Sequence, residues 1–160
     1  MNMKFAFSSL ACPQYTVSEC IALAQKYQFD GVELRTLENT TELFNLPDFS
    51  PARLFKTSLQ LQEALLAVPV IGTSVSFAIP GHTHRERQLA EIRKFCTIAQ
   101  ALHCPYLRVF GGSIPEGQIY SQVLERDIDG YTEAAEIAAS YGVVLLLETH
   151  DDFSTASALL

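Results

Sequence analysis

Short apolar blocks recur along the chain, and each hands over to a longer stretch whose apolar residues repeat with helical spacing. "KFAFS", residues 4 to 8, reads as a first strand. "YTVSECIALAQKY" follows as a helix, with Thr16 and Glu19 at capping-box spacing and Ile21, Leu23 and Ala24 supplying the apolar stripe. The turn pair Asp30-Gly31 introduces a second strand, "GVELR" (31–35), and Ser50 with Pro51 predicts the N-cap and first residue of a helix running to about Leu66. "VIGTSVSFA" (70–78) is a third strand. Thr83 and Glu86 predict another capping box ahead of a helix whose Leu89, Ile92, Phe95, Cys96 and Ala99 share one face. "YLRVFGG" (106–112) is a fourth strand, and residues 121–141 form a fourth helix, with Gly142 where a left-handed cap residue is expected. "VVLLLE" (143–148) is a fifth strand, and "DDFSTASALL" opens a fifth helix.

Strands alternating with helices predict βα units on a parallel sheet, an α/β fold in a single domain over residues 1–160. Each unit takes about thirty residues, so eight would need about 250, the usual size of a (β/α)8 barrel. Five strands fit either the first five-eighths of such a barrel or a complete open sheet. The final run "STASALL", without the charged or polar ending that closes a finished helix, favours a truncated barrel, whose exposed strand edges leave self-association into a homo-oligomer open.

Strand parity separates the two alternatives. Side chains two apart share a face, so Glu33 and Arg35 lie opposite Val32 and Leu34, and Tyr106, Arg108 and Phe110 lie opposite Leu107 and Val109. Val144, Leu146, Glu148 and His150 likewise lie opposite Val143, Leu145 and Leu147. Each of these strands therefore pairs an aliphatic face with one bearing ionisable groups towards its carboxyl end. A barrel with its site at that end requires this convergence, whereas an open sheet with helices on both faces would bury the charges.

The formal charge of −7 and pI near 5.0 oppose a partner bound through its phosphate backbone, so nucleic acid and anionic membrane surfaces are disfavoured. No aliphatic run approaches the ~20 residues that span a bilayer. Cys12, Cys20, Cys96 and Cys104 are scattered without a CxxC pair, and "MNMKFAFSSL" lacks a secretory core, so the expectation is reduced thiols in a cytoplasmic protein.

Candidate chemistry gathers on the mouth-facing side. Glu148 follows five aliphatic residues and reads as a metal ligand or acid/base carboxylate, with helix capping as the plain alternative. His150 either contacts substrate or is an ordinary loop histidine. Glu33 and Arg35 form a structural ion pair or touch substrate. Arg108 offers a forked donor for a substrate hydroxyl, carboxylate or phosphate, unless it is the partner of Glu33 or Glu148. His82 and His84 have tempting spacing but fall in the first turn of a solvated helix, with no accompanying carboxylate cluster.

"GVELR", "YLRVFGG" and "LLLETHDDFS", in this order on the second, fourth and fifth strands, resemble the sugar phosphate isomerase/epimerase group with the xylose isomerase-like TIM barrel. The resemblance implies the amino-terminal five-eighths of a (β/α)8 barrel. It implies that Glu148 binds a divalent cation (Mn, Mg, Co or Zn) and takes part in proton transfer, with the remaining ligands beyond residue 160. The implied substrate is a small carbohydrate, moved through an enediolate that a hard cation stabilises as a Lewis acid. Two other readings stand beside it: a non-catalytic barrel fragment binding a small polar ligand or a partner chain, and an endonuclease of abasic DNA, which the net acidity argues against.

Overall fold

The computed structural model describes residues 3–155. β1 (Ala6–Ser8), β2 (Gly31–Glu33), β3 (Ile71–Gly72), β4 (Tyr106–Phe110) and β5 (Val144–Glu148) are all parallel, and α1 (Val17–Tyr27), α2 (Leu54–Glu63), α3 (His82–Ala101) and α4 (Tyr120–Ser140) connect them. β1 pairs with β2, and β3 with β4 and β4 with β5. Between the two groups the Val32 and Leu34 amides donate to the Ala67 and Val70 carbonyls, and the Gly72 amide returns to Leu34. The strands thus run in sequence order, which is a partial barrel; among the described residues the sheet does not close.

Parity holds where it matters. Val32, Leu34, Leu107 and Val109 are buried under helices, as are Leu89, Ile92, Phe95, Cys96 and Ala99 of α3. The Thr16/Glu19 capping box forms in both directions, and Gly142 takes φ +73° after α4. All four cysteines are free and buried, and burial pushes the Cys20 thiol up to about 12 and those of Cys96 and Cys104 to about 11. Such thiols are packing residues rather than nucleophiles.

Several expected boundaries shift for physical reasons. Ser50 does not cap α2: its hydroxyl donates to the Pro47 carbonyl, closing a 3-10 turn at Pro47–Phe49, and the helix begins at Leu54. The Thr83/Glu86 box does not form, because α3 starts from Gly81 and Thr83 is already inside it. His82 pairs with Glu86 at 3.8 Å on the surface, while His84, half-buried, places Nε2 3.0 Å from the Ser76 carbonyl. The third strand is regular only at Ile71–Gly72. The ladder that joins the Thr73 amide to the Arg108 carbonyl would next carry the Phe110 amide to Thr73, yet it goes to the Val75 carbonyl, so Thr73 and Ser74 bulge. After β5 a 3-10 turn at Asp151–Phe153 buries Phe153 against Gly111; the rest of the expected fifth helix, from residue 156, lies outside the described residues.

Candidate functional site

The carboxyl ends of β2, β4 and β5 bring Arg35, Arg108, Phe110 and Glu148 together. The register sets Arg108 beside Gly72 and Leu146, and Phe110 beside Glu148. Gly72 leaves room there: a Cβ would lie 2.7 Å from both Arg108 Nη2 and Arg35 Cδ, so the two arginine side chains share the space over one glycine. The β-bulge then serves the same pair, since it turns Ser74 Oγ to accept from Arg35 Nη2 at 3.0 Å and leaves the Thr73 carbonyl 3.4 Å from Arg108 Nη1.

Glu148 Oε2 meets Arg108 Nε at 2.7 Å, with Arg108 the more enclosed partner at 14% side-chain exposure against 40%. As an ion-pair partner Arg108 takes Glu148 and not Glu33. Glu33 and Arg35, in contrast, do not form the ion pair considered for them; Arg35 lies over the Phe110 ring at 5.6 Å, and Glu33 acts on it through charge alone. Burial, then the like charge of Arg108, lowers the proton affinity of Arg35, while Glu33 and Glu148 oppose the shift. His150 reaches the same platform, its ring 5.0 Å from that of Phe110 and its Nδ1 2.9 Å from Asp151 Oδ1.

Phe110 organises the cluster: its ring carries Arg108 at 4.2 Å as well as Arg35 and His150. Its backbone carbonyl accepts from the Tyr131 hydroxyl of α4. Sequence reasoning placed Phe110 on the correct face and gave it no part. Ser9 was missed altogether, although its buried hydroxyl accepts from the amides of Arg35 and Thr36 and so fixes the end of β2 against β1. A serine directly after a short strand is the one signal that could have drawn attention to it.

Donors for a divalent cation are fewer than the resemblance requires. Among the described residues no three His, Cys, Asp or Glu side chains gather to hold a metal ion. Glu148 is already engaged by Arg108 and His150 by Asp151, so these residues offer one corner of a cation site and do not by themselves fit one. A cleft of about 450 Å³ lies elsewhere, on the outer flank between α4 and the Leu145/Leu147 face of β5.

The profile described as xylose isomerase-like TIM barrel matches residues 21–158. No curated protein matches the chain. Among solved structures, D-psicose 3-epimerase from Clostridium cellulolyticum H10 with D-tagatose is similar with TM-score 0.75 at 15% identity, over 96% of this chain and 55% of that one. The IOLI protein with a bound zinc atom gives TM-score 0.73 at 17% identity, over 91% and 51%. A xylose isomerase-like TIM barrel protein from Mycobacterium smegmatis in complex with magnesium gives 0.70 at 14%, over 98% and 58%. The chain therefore spans little more than half the length of the structures it resembles.

Proposed function

Because the chain belongs to the xylose isomerase-like TIM barrel family, we propose that it serves a sugar or sugar-phosphate isomerase or epimerase acting through an enediolate, with Glu148 as an acid/base carboxylate. The observation that carries this reading is the 2.7 Å contact between Glu148 and Arg108 at the carboxyl ends of two adjacent strands. A carboxylate fixed through one oxygen by a guanidinium N–H presents its other oxygen in one direction. That is what removal of a weakly acidic C–H proton from a bound hydroxy-carbonyl needs. Arg108 and Arg35 hold substrate oxygens, His150 borders the same space, and Phe110 presents a flat apolar wall against which a sugar ring or chain can lie.

Metal dependence belongs to the proposal on the strength of the neighbours that hold zinc and magnesium. When bound, a divalent ion would polarise the carbonyl and stabilise the enediolate charge. Glu148 is the residue of this chain that would contribute to holding it, with further donors supplied from outside the described residues. Self-association and a cytoplasmic setting complete the reading. No helix among the described residues is long and apolar enough to cross a membrane.

The test is an epimerisation assay on ketohexoses and their phosphates with Mn, Mg, Co or Zn supplied and then removed by chelation. Turnover should fall by about 10²–10⁴ in Glu148→Gln. Unchanged turnover in that variant would defeat the assignment. Sugar binding with no turnover under any metal would favour the alternative, a ligand-binding partial barrel.

A further inference from the structure

At the mouth two guanidinium groups stand side by side, with Glu148 paired to one of them and Glu33 acting on the other only from a distance. Arg108 is matched by Glu148, whereas none of the ion pairs among the described residues involves Arg35. Arg35 Nη2 is satisfied by the neutral Ser74 hydroxyl, and Arg35 Nη1 is buried with no hydrogen-bond partner at all. A buried guanidinium N–H without an acceptor costs free energy, and so does setting it beside a second guanidinium, with both side chains crowding the place of one Cβ at Gly72. The crowding is built in from several directions: the bulge at Thr73 and Ser74, the bare α-carbon of Gly72, the Phe110 ring under both cations, and the Ser9 hydroxyl that fixes the Arg35 backbone. Structure that holds two like charges together against their repulsion, with a donor left unfilled, is suited to an anion that arrives with the ligand.

We infer that Arg35 and Arg108 form a subsite for an anionic head group, a carboxylate or a phosphate, so that the carbohydrate taken by this site is an acidic sugar rather than a neutral one. The inference rests on the carbohydrate reading above and narrows its substrate class. Both head groups accept parallel N–H donors in the fork geometry of guanidinium. The ligand oxygen takes the open valence of Arg35 as the bond to Ser74 yields. The rest of the sugar then lies along Phe110 towards Glu148. The overall charge of −7 is no obstacle, because the attraction is local and acts over a few ångströms within a half-buried site.

Calorimetric titration of the full chain with D-fructose, D-fructose 6-phosphate and D-glucuronate tests this. At low ionic strength at least one charged sugar should bind about tenfold or more tighter than D-fructose, and 0.5 M NaCl should erode that margin while leaving fructose unchanged. Which of the two wins identifies phosphate or carboxylate as the head group. Arg35→Met, which keeps the apolar stem, should remove the preference; Arg35→Lys should restore part of it, showing that the loss is not one of folding. Equal binding of charged and neutral sugars by the unaltered chain, or a preference that survives Arg35→Met, would overturn the inference and leave the carbohydrate reading intact. If none of the three binds, the carbohydrate reading itself falls and takes this one with it.

Discussion

β4 and β5 are equal in length, lie side by side in unbroken register from Tyr106/Val144 to Phe110/Glu148, and each supplies one partner of the central ion pair. They are nonetheless different kinds of strand. β4 alternates cleanly: Leu107 and Val109 are sealed beneath helices, and Arg108 and Phe110 face the mouth. β5 is a run of aliphatics with both faces in solvent, since Val144, Leu146 and Leu147 are 55%, 41% and 42% exposed. The contrast teaches that the site borrows its order from β4. Arg108 is held by Thr73, Gly72 and Phe110, and Glu148 is held by Arg108.

The sharpest way to break this comparison is to cut the same aliphatic group from each strand. Leu107→Ala removes a fully buried side chain and should cost about 2–5 kcal/mol, read as a lower urea midpoint with an unchanged slope. Leu147→Ala, half exposed, should cost about 1 kcal/mol or less. Equal losses would mean that the two strands are equally embedded, and the asymmetry would fail.

A second prediction turns on what covers the end of β4. Alanine normally stabilises an exposed helix interior over glycine by about 1 kcal/mol. At Gly130 of α4 a Cβ would overlap the Phe77 ring, which stands edge-on to Tyr131, whose hydroxyl in turn holds the Phe110 carbonyl. Gly130→Ala should therefore destabilise by about 1–3 kcal/mol. A gain in melting temperature would show that α4 is not locked onto β4 through that contact.

The third concerns the charge enclosed in the same interface. Asp127, 4% exposed on the buried stripe of α4, is pushed up to about 7 by burial, against the pull of Arg126 and the Phe77 backbone. The unfolded carboxyl releases its proton near pH 4 and the folded one holds it to about 7, so folding takes up a proton between these values. Stability should then fall as pH rises from about 4 to about 7 and level off above. Asp127→Asn should flatten that decline, gaining about 1–2 kcal/mol at pH 8 and almost nothing at pH 4. An unaltered pH profile would mean that the group is not buried as described.

These sites show what was legible in the sequence. Parity alone identified the buried faces of β2 and β4 and the shared face of Arg108, Phe110 and Glu148, because strand alternation is fixed by covalent geometry and survives any tertiary arrangement. It could not foresee the bulge at Thr73 and Ser74, where hydrogen bonds to β4 override local pattern, nor the choice of Glu148 over Glu33 as partner of Arg108. Capping boxes divided the same way. Thr16 caps because the chain enters α1 extended at that residue; Thr83 does not, because the helix starts earlier, at His82. Asp127 sat unnoticed in an apolar stripe because periodicity finds hydrophobic residues and passes over the polar one among them.

The smallest expected effect is the one that tests the exposed side of the comparison directly. Leu147 and Leu145 line the outer cleft with Leu124, Ile128 and Ala135 of α4, an apolar surface that in this chain meets water. A charged side chain there desolvates nothing, so Leu147→Lys should alter stability by no more than about 0.5 kcal/mol while reducing self-association, read by light scattering across a concentration series. The same substitution at Val109, one strand away and 1% exposed, would bury an unpaired charge and unfold the domain. If Leu147→Lys instead costs several kcal/mol, the outer face of β5 is covered in solution. A second copy is then identified by a concentration-dependent loss. A cost independent of concentration assigns the cover to the chain itself, and β5 would then be as well ordered as β4, with Glu148 held from both sides.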